Sequence, residues 1–481
     1  MLFNSIQFGI FFLVVTTLYY KLTWRWRWKM LLAASCVFYM AFIPAYIAIL
    51  FTTILIDYVM AIYIEKSQGW RRKLYLQISI ASTCLVLFIF KYSTFFGLTV
   101  QQLQRMFGFS ESFPVVHFIL PIGLSFHTFQ SLSYVIEVYR GHQKSERNLG
   151  IYSLYVMFYP QLVAGPIERP QNLLHQFYAD HRFDVNNLRQ GITLIAWGLF
   201  QKMVIADRCA LYVNHVFAGW AAASGLTMLL AVVLFAVQIY SDFSGYSSVA
   251  IGCARVMGFE LMTNFRRPYF STSFAEFWKR WHISLSTWFR DYLYIPLGGN
   301  RASKFRHCVN LLITFTVSGL WHGANWTFIV WGALNGALLV VEHLFTNWGR
   351  QAPVRWIGQL VRRTLVLSGI LAGWVFFRAS NLPAAMGILK RIGTQFVISR
   401  QSLGEAILGF TSDVTSVPVG VVTFILVGVM FAIEWSQEFG ARKWTFATLS
   451  PGRQFTWCVL LLEMILLFGS LRPSAFVYFQ F

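Results

Sequence analysis

The sequence predicts an all-α polytopic membrane protein, on the basis of its composition and the recurrence of long apolar segments. Of the 481 residues, 57% are hydrophobic and only 12% are charged, whereas ordinary soluble domains carry about 25% charged residues. Mean hydropathy is +0.55. At about 20 residues per span, the apolar segments between Phe8 and Leu471 predict about nine to eleven transmembrane helices. No gap between these segments would hold a soluble domain of ordinary size.

The chain is therefore predicted to form a single membrane domain over residues 1–481. Three consecutive segments are expected within it: N-terminal helices over 1–140, a catalytic core segment over 141–350 and C-terminal helices over 351–481. The apolar run that begins near Phe8 has neither a basic start nor a small-residue cleavage site, so we expect it to be retained as the first helix.

The charge balance is strongly basic, with 39 Lys and Arg against 19 Asp and Glu and a net charge of +20. Such an excess is typical of proteins that meet nucleic acid or a membrane surface. Here the basic residues lie in short connections between apolar runs, where the positive-inside rule places them on the cytoplasmic side. We therefore expect a lipid bilayer, and no nucleic acid, as the partner. The six cysteines have no CxxC spacing, so no metal site is predicted.

The basic clusters also predict a topology. Clusters at 25–29, 66–73 and 140–144 are placed inside, which makes the chain cross twice between the first two and turn near Pro44. Residues 74–92 and 115–139 then form a second pair of spans, with 93–114 outside. The N-terminus is predicted to be periplasmic.

Two later segments interrupt this regular pattern. The run AGPIERP at 164–170 breaks an apolar stretch, and the polar run YSDFSGYSS at 240–248 follows a predicted span at 224–240. Irregular backbone at membrane depth needs protein or water around it, so such segments commonly line a site. Asp242 is notable because a lone buried carboxylate costs several kcal/mol. It is predicted either to bind substrate or to have an ion-pair partner elsewhere in the fold. Lys202 and Asp207 could form a similar ion pair with each other.

Residues 273–292, SFAEFWKRWHISLSTWFRDY, predict one amphipathic helix lying along the cytoplasmic interface. Aromatic residues recur on one face, and His282 falls among them. That histidine is either a satisfied interfacial side chain or a site residue. The opposite face carries charges: Glu276, Lys279, Arg280 and Arg290. The following YIPLGGNR ends in Arg301, and its two glycines make either an ordinary turn or a phosphate-binding loop.

His322 lies inside the apolar segment 311–341, and an ionisable residue within a span is a functional candidate by default. An uncharged imidazole, the form that an apolar setting favours, keeps a lone pair for general-base chemistry. Small neighbours such as Ser318 and Gly319 leave room for a substrate or another helix. Asn325, three residues on, could bind a ligand or steady the ring, and Trp321 is a further substrate-binding candidate. The alternative is a histidine bonded across a helix interface.

Several motifs together resemble the membrane-bound O-acyltransferase family, in particular its subgroup that acetylates bacterial exopolysaccharides, typified by alginate O-acetylation proteins. The resemblance covers nearly the whole chain. The motifs are LPIGLSFHTFQSLSYVIEVYRG (120–141), FYPQLVAGPIERP (158–170), YSDFSGYSSVAIG (240–252), FWKRWHISLSTWFRDYLYIPLGGNR (277–301), GLWHGANWTFIVWG (319–332) and the terminal FVYFQF.

The resemblance implies a ring of tilted helices with a cytoplasmic funnel that leads to a catalytic histidine, matched by His322, while His282 matches a second family histidine. It implies acetyl transfer, with acetyl-CoA as donor and no permanently bound cofactor, for O-acetylation of a secreted or cell-surface polysaccharide such as alginate or cellulose. The implied partners are periplasmic proteins that accept or transfer the acetyl group, and the implied location is the bacterial inner membrane. The oxyanion of such a transfer could be stabilised by Asn325 or His282. The coenzyme phosphates would suit basic residues at the cytoplasmic mouth: Lys279, Arg280 and Arg301.

Two alternatives remain open at this point. One is D-alanyl or another acyl transfer to a cell-wall polymer, and the other is a transporter or flippase for a lipid-linked glycan, in which polar residues of broken helices bind rather than react. A glycosyltransferase is disfavoured because the chain has no DxD-type metal motif.

Overall fold

The computed structural model describes residues 1–109, 113–121, 123–162, 165–345, 356–400, 402–404, 419–440, 443–470 and 476–477. Across these ranges the regular structure is helical, without strands, which confirms the predicted all-α class. Three sequence features lie outside the described residues: the predicted boundary at 350, Ala164 at the start of AGPIERP, and most of the terminal FVYFQF.

The chain separates into two compact units, Met1–Gly191 with Ala250–Met262, and Ile192–Val249 with Thr263–Phe481. The division into three consecutive segments stays a prediction. The helices that begin in the first unit are α1 (Ile6–Lys21), α2 (Trp24–Met40), α3 (Tyr46–Lys66), α4 (Gly69–Leu87), α5 (Ser93–Met106), α6 (Leu124–Arg140), α7 (Leu149–Met157), α8 (Tyr159–Leu162), α9 (Pro170–Leu173) and α10 (Val185–Leu199).

Those that begin in the second unit are α11 (Asp207–Ala218), α12 (Gly225–Val256), α13 (Phe274–Arg280), α14 (Ile283–Phe289), α15 (Lys304–His322), α16 (Trp326–Phe345), α17 (Trp356–Arg378), α18 (Leu382–Thr394), α19 (Val419–Phe439) and α20 (Pro451–Phe468).

Within the described ranges, seven helical stretches are long and apolar enough to cross a bilayer: α3, the continuous α4–α5 stretch, α12, α16, α17, α19 and α20. This number is below the nine to eleven expected from composition. One reason is length, since the apolar α1 has 16 residues and reaches only about 24 Å, while the hydrocarbon core is about 30 Å thick. The 17-residue α2 and α6 are also short.

The helix bounds differ from the predicted spans in two places. A π-helical turn, Phe88–Tyr92, joins α4 to α5, so most of the segment expected as an outer connection, 93–114, is helical. The polar run 240–248 lies inside the 32-residue α12 rather than after a span, because an unbroken helix satisfies its own backbone groups while the polar side chains find partners in the fold. The turn near Pro44 is confirmed between α2 and α3.

Candidate active site

A cavity of about 480 Å³ in the second unit brings the two candidate histidines together. Residues of α13, α14 and α15 form most of its wall, and His282 and His322 both line it. Apolar and aromatic side chains dominate the lining, among them Trp278, Phe289 and Phe315. Ligand sites in proteins have this character, an apolar concavity with a few polar groups that fix orientation.

His282 owes its place to a break in the helix that the sequence predicted as continuous over 273–292. The side chain of Ser273 starts α13 by accepting a hydrogen bond from the backbone N–H of Glu276, at 3.0 Å. The helix ends at Arg280, and α14 starts at Ile283. Between them His282 has a φ of 41°, in the left-handed region that histidine tolerates better than most residues. The single interfacial helix was therefore a wrong prediction, since two helices of seven residues stand in its place.

A buried amide holds the His282 ring. Its Nδ1 lies 3.1 Å from Oδ1 of Asn264, and the ring packs edge-on against Phe243 with centroids 4.6 Å apart. Asn264 is fully buried. Burial lowers the pKa of His282 to about 3, so the imidazole is uncharged at neutral pH. Sequence reasoning missed Asn264 because a single asparagine 18 positions away carries no recognisable spacing.

His322 is the last residue of α15 and is buried among aromatic rings. The ring centroids of Trp321, Trp331 and Phe377 lie 4.9, 5.0 and 5.6 Å from its own. Trp321 does not line the cavity, so its contact with the site passes through the histidine. These rings restrict the rotation of the imidazole and keep the site apolar.

Gly319 of α15 and Gly332 of α16 serve helix packing. A Cβ on Gly319 would lie 2.2 Å from the backbone oxygen of Phe328, and one on Gly332 would lie 2.3 Å from that of Phe315. Contacts this short leave no room for a side chain, so α15 and α16 approach at these glycines. Of the two uses that the sequence suggested for the small residues beside His322, room for a substrate or for a helix, Gly319 serves the second.

Asn325 supports the start of α16. Its Oδ1 accepts a hydrogen bond from the backbone N–H of Thr327 at 3.1 Å, and its Nδ2 donates to the carbonyl oxygen of Ser380 at 3.1 Å. The side chain does not line the cavity. The structure thus places this predicted substrate-binding residue in a capping role.

The candidate basic residues fall into two groups. Lys279 lines the cavity, and so does Arg290, which the sequence assigned only to the charged helix face. Arg280 instead donates to Glu276 at 2.6 Å and to Glu438 at 2.9 Å, and Arg301 is exposed and away from the cavity lining. The Arg280 charge is matched by two carboxylates, which leaves it poorly placed for coenzyme phosphates.

Asp242 lies in a buried ion cluster that is not part of the cavity wall. Lys202 donates to it at 2.7 Å and to Asp207 at 2.9 Å, and all three side chains are at most 5% exposed. The backbone N–H of Val477 donates to the second carboxylate oxygen at 2.6 Å. Of the two roles predicted for Asp242, substrate binding or an ion pair, the structure shows an ion pair with Lys202.

No group of three or more His, Cys, Asp or Glu side chains within the described ranges could hold a metal ion.

Comparison with known proteins identifies the family. The model of MBOAT, the membrane-bound O-acyltransferase family, matches residues 75–380. The probable alginate O-acetylase AlgI of Azotobacter vinelandii is 36% identical over 459 residues, covering 93% of this chain and 87% of that protein. The probable alginate O-acetylase AlgI of Pseudomonas aeruginosa is 40% identical over 397 residues, covering 80% and 73%.

A third relative, the peptidoglycan O-acetyltransferase of Helicobacter pylori, is 29% identical over 484 residues, covering 94% of this chain and 91% of that protein. In the described part of the chain, seven helical stretches could cross a bilayer, in agreement with a multi-pass protein. The chain belongs to the membrane-bound O-acyltransferase family, in its alginate O-acetylation subgroup, and is a multi-pass membrane O-acetyltransferase.

Proposed function

We propose that this enzyme moves the acetyl group of acetyl-CoA, taken from the cytoplasm, to a hydroxyl used in O-acetylation of a secreted or cell-surface polysaccharide. The observation that carries the proposal is the shared cavity, which has His282 and His322 in one apolar wall. The names of the relatives, which specify alginate and peptidoglycan, support a polysaccharide as the final acceptor.

The reaction needs a base because an alcohol is a weak nucleophile at neutral pH. His322 takes the hydroxyl proton as the oxygen attacks the thioester carbonyl, which forms the new C–O bond and leaves a negative charge on the carbonyl oxygen. The intermediate then collapses, the C–S bond breaks, and the proton on His322 passes to the departing thiolate. The histidine ends the cycle uncharged.

The negative charge on the carbonyl oxygen needs a hydrogen-bond donor. Asn325 and His282 were the candidates from the sequence, but Nδ2 of Asn325 donates to the carbonyl oxygen of Ser380 and Nδ1 of His282 lies against Asn264. Ser318 lies one helical turn before His322 and lines the same cavity, and its hydroxyl makes no hydrogen bond to the described residues. We assign the donor role to the Ser318 hydroxyl.

The donor coenzyme carries phosphates, which cationic side chains bind through charge-assisted hydrogen bonds. Lys279 and Arg290 are the cationic residues of the cavity wall. Arg290 Nε donates to Asp291 at 2.8 Å, so Lys279 is the preferred phosphate ligand in this proposal. Arg280 is less suited because Glu276 and Glu438 already neutralise it, and Arg301 because it lies off the cavity.

The proposal extends to the cellular setting. The enzyme lies in the bacterial inner membrane with a periplasmic N-terminus, uses acetyl-CoA as a substrate without a permanently bound cofactor, and works with periplasmic proteins that accept or transfer the acetyl group. The basic connections between apolar runs support this orientation through the positive-inside rule.

The test is transfer of radiolabelled acetyl from acetyl-CoA into acid-precipitable product by membranes that contain the enzyme and its partners. Removal of a general base costs about 10²- to 10⁴-fold in rate, so His322→Ala is expected to lose labelling by at least that lower factor. His215→Ala is the matched control, because His215 is exposed and does not line the cavity.

Equal labelling by His322→Ala and the control, at equal amounts of folded protein, would contradict the base assignment. Absence of labelling in the unmodified enzyme, together with labelling from a D-alanyl donor, would replace the acetyl proposal by D-alanyl transfer. Glycan export without any acyl transfer would favour the flippase alternative.

A further inference from the structure

The orientation of the Asn264 amide is fixed by its neighbours. Its Oδ1 accepts hydrogen bonds from the backbone N–H of Ser284 at 3.2 Å and from the Ser284 hydroxyl at 3.0 Å, and its Nδ2 donates to Ser247 Oγ at 3.3 Å. A backbone N–H can only donate. The amide atom that faces Ser284 is therefore the oxygen, which settles an assignment that the shape of an amide leaves ambiguous.

The position of the Asn264 oxygen determines which ring nitrogen of His282 carries the hydrogen. Nδ1 lies 3.1 Å from Asn264 Oδ1, and a bare Nδ1 at this distance would set two lone pairs against each other. The Ser284 hydroxyl is 3.5 Å from Nδ1 but 3.0 Å from Oδ1, so its hydrogen is directed to the amide. Nδ1 must therefore donate to Asn264.

The uncharged ring has one N–H. Because burial lowers the pKa of His282 to about 3, the ring carries no second hydrogen near neutral pH, and Nε2 holds the lone pair. A histidine in this tautomer cannot donate to an oxyanion from Nε2, which was the role that sequence reasoning allowed it.

We infer that Asn264 is a positioning residue that holds His282 in the Nδ1–H tautomer, so that the hydrogen-bonding group His282 offers at the cavity it lines is an acceptor, Nε2. The inference deepens the proposed acetyl transfer and rests on it for its catalytic meaning. The group that His282 accepts from is an N–H or O–H donor, and the reactants offer two kinds: the amides of the coenzyme arm and a hydroxyl of the acceptor other than the attacking one, whose hydrogen goes to His322. With the opposite tautomer, Nε2–H would compete for oxygen lone pairs, including the one that attacks the thioester.

The first test reads the tautomer directly. Full-length enzyme labelled with ¹⁵N-histidine in lipid is examined by solid-state NMR, and the His282 signals are assigned by their loss in His282→Gln. The expected result is a protonated Nδ1 and a bare Nε2 in the wild type. Asn264→Ala is expected to add the Nε2–H tautomer, whereas Asn264→Asp, which keeps an acceptor, preserves the original one.

Ser284→Ala is the matched control, because it removes the hydroxyl bond to Asn264 and retains the backbone N–H that fixes the amide. Its tautomer should not change. A wild-type spectrum with the hydrogen on Nε2, or an unchanged tautomer in folded Asn264→Ala, overturns the inference. If Asn264→Ala does not fold, the wild-type spectrum still decides. This readout requires no acetyl transfer, so its failure is separate from a failure of the proposed function.

Steady-state kinetics identify the reactant that donates a hydrogen bond to Nε2 of His282. A wrong tautomer of a catalytic histidine costs about 10⁴ in kcat in serine proteases, and a variant that samples both forms is expected to lose roughly tenfold or more in kcat/KM. A rise in KM for acetyl-CoA assigns the donor to the coenzyme amides, and a rise in KM for the acceptor assigns it to the hydroxyl. Recovery in Asn264→Asp supports the positioning role. Unchanged kcat and KM values in Asn264→Ala would refute it.

Discussion

Replacing Asp242 by asparagine separates its structural role from the substrate-binding role that its sequence context suggested. In the folded protein Lys202 bridges Asp242 and Asp207 at 2.7 and 2.9 Å, with its side chain 3% exposed. Asp242→Asn leaves the Lys202–Asp207 pair and an oxygen that can still accept from Val477. The expected loss is that of one charged hydrogen bond, about 1.5–3 kcal/mol of unfolding free energy.

Lys202→Met removes the shared cation instead. Two buried carboxylates then lose their common partner, and breaking a buried ion pair from one side costs about 3–5 kcal/mol. The structure therefore predicts that Lys202→Met destabilises the protein more than Asp242→Asn does. Glu260→Gln is the control, since the Arg255–Glu260 pair is 3.6 Å long with a Glu260 side chain that is 80% exposed. Exposed pairs contribute about 0–1 kcal/mol.

The assay is thermal unfolding in detergent, followed by tryptophan fluorescence, combined with the rate of acetyl transfer per folded enzyme. We expect the decrease in Tm to be smallest for Glu260→Gln, larger for Asp242→Asn and largest for Lys202→Met. KM for acetyl-CoA should stay unchanged in folded Asp242→Asn. A wild-type Tm with a raised KM in Asp242→Asn would refute the structural assignment and return Asp242 to the substrate site.

Three further predictions concern the cavity and its helices. Lys279→Ala should raise KM for acetyl-CoA several-fold with little change in kcat, whereas Arg301→Ala should leave both unchanged; equal effects would argue against phosphate binding at the cavity wall. Ser318→Ala should lower kcat by about 10²- to 10³-fold, the usual cost of an oxyanion donor, and an unchanged kcat would remove Ser318 from that role. Gly319→Ala should lower the unfolding free energy by about 1–3 kcal/mol through overpacking against Phe328, and a wild-type Tm would contradict the close approach of α15 and α16.

The two histidines show how far sequence patterns reach into the site. His322 is recognisable because an ionisable residue within an apolar run is rare, and His282 because it stands among aromatic residues at helical spacing. The structure brings both to one cavity. The same periodicity gave a wrong local geometry at His282, because aromatic spacing persists across a break and does not reveal a φ of 41°.

For the candidate basic residues, in contrast, the sequence does not indicate which side chain reaches the cavity. Lys279 and Arg280 are adjacent and alike in sequence, yet one lines the cavity and the other pairs with Glu438, 158 positions away. Asn325 matched a ligand-binding role by its distance from His322, but the backbone of Thr327 and Ser380 uses its amide.

Hydropathy and residue spacing are local properties of the chain, so they were enough to predict the membrane class, the helical architecture and the two candidate histidines. The contacts between polar groups depend on the fold, which pairs Lys202 with Asp242, Asn264 with His282, and Arg280 with Glu438. The free energy of such pairs depends on distance and burial in the folded protein rather than on separation along the chain. Composition can require that a buried charge has a partner, but packing selects the partner.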